Sequence, residues 1–251
     1  MTDTARSRIR IPEGITTLLF DLDGVLTNTA KVHSEAWKEM FDAYLREREG
    51  DDFQPFDIAT DYAEYVDGRL RQDGVRAFLE SRGIELPEGE ADDPADAETV
   101  HGLGNRKNEL VQTLIREKGV ERFEGSVQFL EAAREAGFRT AVVSASKNTE
   151  EVLKVTGLTD LFELRVDGVV AAEYNLAGKP APDTFVFAAR EMAEMPEHCA
   201  VIEDAIAGVQ AGRAGAFGLV VGVDRVGRAE ALKENGADIV VNDLSELLED
   251  R

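Results

Sequence analysis

The apolar run TTLLF at residues 16–20 leads straight into Asp21 and Asp23, two acids one residue apart, with Gly24 behind them. Two like charges at the end of a buried strand repel unless something offsets them. Related chemistry recurs at later segment ends. Ser144 closes TAVVS, Glu203 and Asp204 close CAVIED, and Lys179 stands in GKPAPD just ahead of a helix start. Taken singly, these residues have ordinary roles, Asp and Ser as helix caps and a lysine before proline as a solvated charge. Taken together they bring carboxylates, a hydroxyl and an ammonium to strand ends, where open α/β sheets gather their ligands. Oxygen donors in that number suit a hard divalent cation, foremost Mg2+. With a cation and Lys179 offsetting negative charge, a phosphoryl group can approach Asp21, and the carboxylate can attack phosphorus. Ser144 can then hold a nonbridging oxygen. Asp23 can serve as general acid to the leaving oxygen and afterwards as base, provided its side chain swings to the substrate. Gly24 permits the tight backbone of such a turn.

Such strand ends presuppose a sheet. Short apolar runs at 16–20, 140–144, 200–202, 219–223 and 238–241 alternate with helical patterns, which predicts an α/β fold with a parallel sheet. Ser126 is expected to cap the helix VQFLEAAREA, which Gly137 stops. Asn148 is expected to cap TEEVLKVT ahead of Gly157, and Pro182 to fit the first turn of DTFVFAAREMAE. Between about 30 and 118 the strand-like runs vanish. Val32, Ala36, Trp37, Met40, Phe41, Tyr44 and Leu45 trace one wide apolar helix face. Further helical pieces carry Ile58, Tyr62, Tyr65 and Val66, then Val75, Phe78 and Leu79, then Leu110, Val111, Leu114 and Ile115. We read an all-helical module at 31–118 inserted into an α/β core made of 1–30 and 119–251, with the acidic stretch LPEGEADDPADAE at 86–98 as an exposed loop.

Composition narrows the partners. The 251 residues are 43% hydrophobic, enough for one large domain or for a core with a smaller companion. Lysine and arginine number 28 against 50 acids, a formal charge of −22, which argues against an extended nucleic-acid footprint or an anionic membrane surface. Any phosphate-bearing ligand must be held by a few local cations or by a metal. Cys199 is the only cysteine, so no internal disulfide forms, and its apolar setting CAVI predicts a small buried hydrophobe. The first residues carry arginines without an apolar h-region, and no stretch approaches the roughly 18 apolar residues of a membrane span. The expectation is a cytoplasmic, monomeric protein with a small-molecule partner.

The order D-x-D-G-V-x-T at 21–27, a strand-end serine at 144, Lys179 in a K-P-x-P-D context and the E-D pair at 203–204 together resemble the haloacid dehalogenase-like phosphotransferases, across essentially the whole chain. The resemblance implies a Rossmann-like core, Mg2+ dependence and a phospho-aspartate intermediate on Asp21. It also implies Asp23 as acid/base with its backbone carbonyl on the metal, Ser144 and Lys179 on the transferring phosphoryl group, Glu203 and Asp204 completing the metal site, and a helical cap after the first motif. Dehalogenases of the same fold lack the second aspartate and the metal, so Asp23 argues against them. The words TNTAKVHSEAW (27–37), GRLRQDG (68–74), RKN (106–108) and SASKN (144–148) are similar to the β-phosphoglucomutase branch of that family. That implies interconversion of β-glucose 1-phosphate and glucose 6-phosphate through glucose 1,6-bisphosphate, and a second phosphate grip formed by Arg71 with Ser146, Lys147 and Asn148. Gly68 falls in the same substrate-binding set, Thr29 and His33 resemble residues that position Asp23 and the hinge, and Trp37 resembles a cap-side aromatic. Plainer roles stay open: Asn148 as a helix cap, Arg71 as a solvated charge, His33 as a partly buried histidine and Trp37 as a core contact. Asp67 stands where the known mutases carry a lysine, and the loop at 86–98 enlarges the cap. Two further possibilities remain: a sugar-phosphate phosphatase in which water discharges phospho-Asp21, and a noncatalytic anion- or partner-binding module.

Overall fold

The structure is a computed structural model that describes residues 9–66 and 71–249, with the backbone alone at Ala63. Thr17–Phe20 (β1), Arg139–Val143 (β2), Leu164–Val166 (β3), Cys199–Glu203 (β4), Leu219–Val223 (β5) and Ile239–Val241 (β6) form a parallel sheet in the order β3-β2-β1-β4-β5-β6. Every residue of β1, β4 and β5 is buried, which is why these strands read as unbroken apolar runs rather than alternating ones. The helices are Thr29–Glu49 (α1), Arg71–Ser81 (α2), Val100–Lys118 (α3), Glu124–Glu135 (α4), Thr149–Thr156 (α5), Gly168–Glu173 (α6), Asp183–Glu191 (α7), Ile206–Ala214 (α8) and Ala229–Glu234 (α9). The chain divides into two compact units, Ala30–Gly119 and the remainder on either side of it.

In the α/β unit, Leu19, Ala141, Val143 and Val201 of the sheet pack with Phe185 and Phe187 of α7 and with Phe217. Val220 packs with Val209 of α8 and Leu232 of α9. Each such large side chain contributes about 1.5–3 kcal/mol of burial. The strand order turns back beside β1: the chain proceeds outward through β2 and β3 on one side and through β4, β5 and β6 on the other. The crevice at the carboxyl ends of β1 and β4 is therefore the switch point where a ligand fits. The segments by which the chain leaves and re-enters this unit are paired, Asn28 N donating to Glu121 O at 2.9 Å and Phe123 N to Leu26 O at 2.9 Å. Cys199 is fully buried, and burial first, then Glu194, pushes its thiol up to about 12, so it stays an inert hydrophobe.

The helical unit has its own core, with Trp37, Phe41, Tyr44 and Leu45 of α1 against Phe56, Phe78 and Leu103. The Phe41 ring lies 4.1 Å from that of Phe78 and 5.3 Å from that of Trp37, centroid to centroid. Thr99 caps α3 by accepting from Gly102 N at 2.9 Å, and residues 86–98 form an irregular stretch that is partly exposed, with Leu86 packed against the core of this unit. Among the described residues no helix is long and apolar enough to cross a membrane.

Several local expectations are corrected. Ser126 is not an N-cap: α4 begins at Glu124, with Phe123 in the cap position, because Phe123 is held extended by its bond to Leu26 O. Pro182 occupies the cap position of α7 rather than its first turn, and Asn148 takes the cap position of α5 without a side-chain cap bond. Gly157 ends α5 at φ +70°, as its sequence position suggests. Ile58 lies in a turn and is 40% exposed, and Tyr62–Val66 forms a π-helical turn instead of an α-helix.

Candidate active site

Asp21 N donates to Ile202 O at 2.9 Å, which extends the β1–β4 ladder by one residue and sets Asp21 beside Glu203. The chain then folds back on itself. Leu26 N and Thr27 N both donate to Leu22 O at 3.0 Å, and Gly24 N donates to Thr27 O at 2.8 Å. Gly24 has φ +84°, and a Cβ there would lie 1.9 Å from Asp204 Oδ2. Only glycine allows both the backbone conformation and the approach of that carboxylate. Gly208 serves Glu203 in the same way, since a Cβ on α8 at that point would fall 1.9 Å from Glu203 Oε1.

Lys179 Nζ lies 2.5 Å from Asp21 Oδ1 and 2.5 Å from Glu203 Oε1, and donates to Val143 O at 3.3 Å. The Lys179–Pro180 peptide is cis. Carboxylate oxygens of Asp21, Glu203 and Asp204 all lie within 4.8 Å of one another. Asp23 is held apart from that trio, accepting from Thr29 Oγ1 at 2.5 Å and from Ser144 Oγ at 3.2 Å. One ammonium thus pairs with two of the four carboxyl groups, Asp21 and Glu203. Burial, and after it the neighbouring carboxylates, raises the Asp21 pKa well above the usual range, although Lys179 works against this. Burial also raises Asp23, opposed by the Thr29 and Ser144 hydrogen bonds, and burial followed by Glu203 and Asp23 pushes Asp204 up to about 7. Burial pulls the Lys179 ammonium down, but Asp21 and Glu203 outweigh it and hold its pKa above the ordinary lysine value. A donor set of hard oxygens with uncompensated negative charge fits Mg2+.

The loop after β2 is knitted to this cluster through Ser144, whose Oγ accepts from Ser146 N at 3.1 Å. Ser146 Oγ accepts from Asn148 N at 3.1 Å, so Ser146, Lys147 and Asn148 form a tight turn into α5. Asp21, Asp23, Thr29, Ser144, Lys179, Glu203 and Asp204 are thereby brought together within the α/β unit.

His33, Trp37 and Arg71 lie in the helical unit. His33 and Trp37 are linked through Lys107, whose Nζ is 2.7 Å from His33 Nδ1 and 4.9 Å from the Trp37 ring centroid. Burial and then Lys107 push His33 down to about 3, which leaves its imidazole neutral. Burial and then Arg71 push Lys107 down to about 7. Arg71 Nη2 donates to Asn105 Oδ1 at 3.2 Å, while its buried Nε has no hydrogen-bond partner among the described residues. Trp37 is 4% exposed and stacks on Phe41, which gives it the core contact described for α1. Gly68, with Asp67, lies outside the described residues. Sequence reasoning missed Lys107 as an individual residue, although it stands in the RKN word; its burial is a tertiary property that no local pattern announces.

A sequence profile described as haloacid dehalogenase-like hydrolase matches residues 15–215. The chain is 55% identical over 250 residues to a β-phosphoglucomutase of Mycobacterium tuberculosis, covering 97% of this chain and 95% of that protein. It is 31% identical over 199 residues to the fructose-1-phosphate phosphatase YqaB of Escherichia coli, covering 78% of this chain and 90% of that one. Among solved structures, a HAD family hydrolase of Deinococcus radiodurans with bound phosphate and sodium superposes with a TM-score of 0.69 at 31% identity, covering 94% of each chain. The profile runs from the start of β1 past Asp204, and the M. tuberculosis enzyme matches along nearly its full length. The chain therefore belongs to the haloacid dehalogenase-like hydrolase family, as a homologue of its β-phosphoglucomutases.

Proposed function

We propose that this chain is a Mg2+-dependent phosphomutase interconverting β-glucose 1-phosphate and glucose 6-phosphate through phospho-Asp21 and glucose 1,6-bisphosphate. The observation that carries it is the division between the two aspartates: Asp21 is drawn into the Lys179–Glu203–Asp204 cluster, whereas Asp23 is held by two hydroxyls beside it. The substrate pair is supported by the similarity to the M. tuberculosis β-phosphoglucomutase. Bound by the Asp21, Glu203 and Asp204 side chains and the Asp23 carbonyl, Mg2+ would neutralise charge on the transferring phosphoryl group. In the first half-reaction the sugar O6 attacks phosphorus of phospho-Asp21, its proton passing to Asp23, and the Asp21 carboxylate departs. After the bisphosphate reorients, Asp21 attacks the phosphorus at C1, the P–O1 bond breaks, and Asp23 returns its proton to O1. Ser144 and Lys179 hold the nonbridging oxygens. Thr29 and His33 are assigned to positioning, and Trp37 to the sugar side. For the second phosphate, Ser146, Lys147 and Asn148 are assigned in the α/β unit and Arg71 in the helical unit. A cytoplasmic monomer goes with these small, soluble substrates.

The test supplies β-glucose 1-phosphate, Mg2+ and a trace of bisphosphate, and reads glucose 6-phosphate and orthophosphate together. Glucose 6-phosphate is expected to dominate. Dominant orthophosphate would favour a sugar-phosphate phosphatase using the same aspartates, the reading suggested by the similarity to YqaB. Turnover surviving Asp21→Asn would remove both. Arg71→Ala is expected to raise KM for the bisphosphate about tenfold, while KM for a small monophosphate changes little.

A further inference from the structure

We propose that Arg225 is a positioning residue for Asp23, fixing the backbone turn from which the acid/base side chain projects; this rests on the acid/base role given to Asp23 above. Arg225 stands two residues beyond Val223, the last residue of β5, and its side chain is 16% exposed. A guanidinium has five N–H donors in a rigid planar fork, and here each finds an acceptor. Nε donates to Gly24 O at 3.0 Å. Nη2 donates to Val25 O at 3.1 Å and to Ser126 Oγ at 2.8 Å. Nη1 donates to Asn242 O at 2.9 Å and to Asp243 Oδ2 at 2.9 Å. The guanidinium carbon also sits 3.8 Å from the centroid of the Phe123 ring.

Asp243 alone would balance the charge, so the two bonds to residues 24 and 25 need another explanation. The turn's amides close on themselves, from Leu26 and Thr27 to Leu22 O and from Gly24 to Thr27 O. The carbonyls of Gly24 and Val25 are turned toward Arg225 instead. Gly24 follows Asp23 directly and has no side chain to anchor it, so the fork holds the Gly24–Val25 and Val25–Leu26 peptides of the turn and through them restrains the backbone at Asp23. The same guanidinium grips Ser126 and covers Phe123, on the segment where the chain re-enters the α/β unit. Lysine, a point charge on a flexible stem, can keep the pair with Asp243 but cannot serve this set of directions.

The test uses Arg225→Lys, with Asp243→Asn as a control that weakens the ion pair and leaves the turn contacts. Thermal unfolding and Mg2+ titration check that each variant is folded and loads metal. Single-turnover phosphorylation of Asp21 is followed from glucose 1,6-bisphosphate, whose departing sugar oxygen needs a proton, and from 4-nitrophenyl phosphate, whose phenolate does not. Arg225→Lys is expected to slow transfer from the bisphosphate by about tenfold and transfer from the aryl ester by less than about threefold, a fraction of what general acid catalysis contributes. Mg2+ affinity should hold, and Asp243→Asn should leave the ratio of the two rates unchanged. Equal slowing with both donors, or no slowing with either, overturns the proposal. Asp23→Asn is run alongside. If it too fails to discriminate between the donors, the acid/base role itself falls and the inference with it. If it discriminates and Arg225→Lys does not, the positioning role alone falls.

Discussion

A divalent cation entering the Asp21, Glu203 and Asp204 cluster has to displace protons, because burial first and then Glu203 and Asp23 push Asp204 up to about 7. Mg2+ affinity is expected to weaken as the pH falls below 7, by about tenfold per pH unit for each proton displaced. Calorimetric titration in two buffers of different ionisation enthalpy reads that number directly, and a pH-independent affinity would contradict the cluster as metal site. Stability without metal follows from the same group. Asp204 binds its proton more tightly folded than unfolded, so its contribution is fully present below 3.8 and is lost as the pH rises through about 7. In metal-free protein, Asp204→Asn is therefore expected to match the parent near pH 4 and to exceed its Tm increasingly towards pH 8. A Tm difference that stays flat with pH would show that the carboxylate is not strained. The acids themselves are legible in the sequence because they stand directly at the ends of apolar runs. Arg225 is not, since Gly24 is 201 residues away from it and only the folded chain brings the two together.

At the scale of elements, legibility tracks burial. β1, β4 and β5 are buried at every position and announce themselves as apolar runs, from which the parallel sheet follows. β3 escapes because Arg165 interrupts its three residues, whereas β6, equally short and equally part-buried, reads as the unbroken apolar run IVV. The start of α4 escapes for a tertiary reason: capping preference favours Ser126, but the Phe123–Leu26 bond fixes where the extended chain stops. The α1 face is legible as periodicity, and its consequence is local. Phe41 contacts the Trp37, Phe56 and Phe78 rings, so Phe41→Ala should cost about 3–5 kcal/mol of packing. Because the helical unit has a core of its own, hydrogen exchange should show protection lost along α1 and α2 and retained in β1 and β4. Uniform loss across both would mean that the two units unfold as one.

Over the whole molecule, 50 acids against 28 basic residues leave a charge of −22, which opposes the compact state through self-repulsion. Raising NaCl from about 0.01 M to about 1 M shortens the screening length from about 30 Å to about 3 Å. With chelator present to exclude specific metal effects, Tm should rise by at least about 2 °C, the equivalent of about 1 kcal/mol in a chain of this size. A Tm that does not respond would mean the surface charges are already locally compensated. The same large-scale view gives meaning to the hydrogen bonds between Asn28 and Glu121 and between Leu26 and Phe123. They lay the two ends of the inserted stretch side by side on the catalytic scaffold, as the jaws of a socket. Whatever hangs from that socket can grow, shrink or be exchanged while β1 and its aspartates stay where they are.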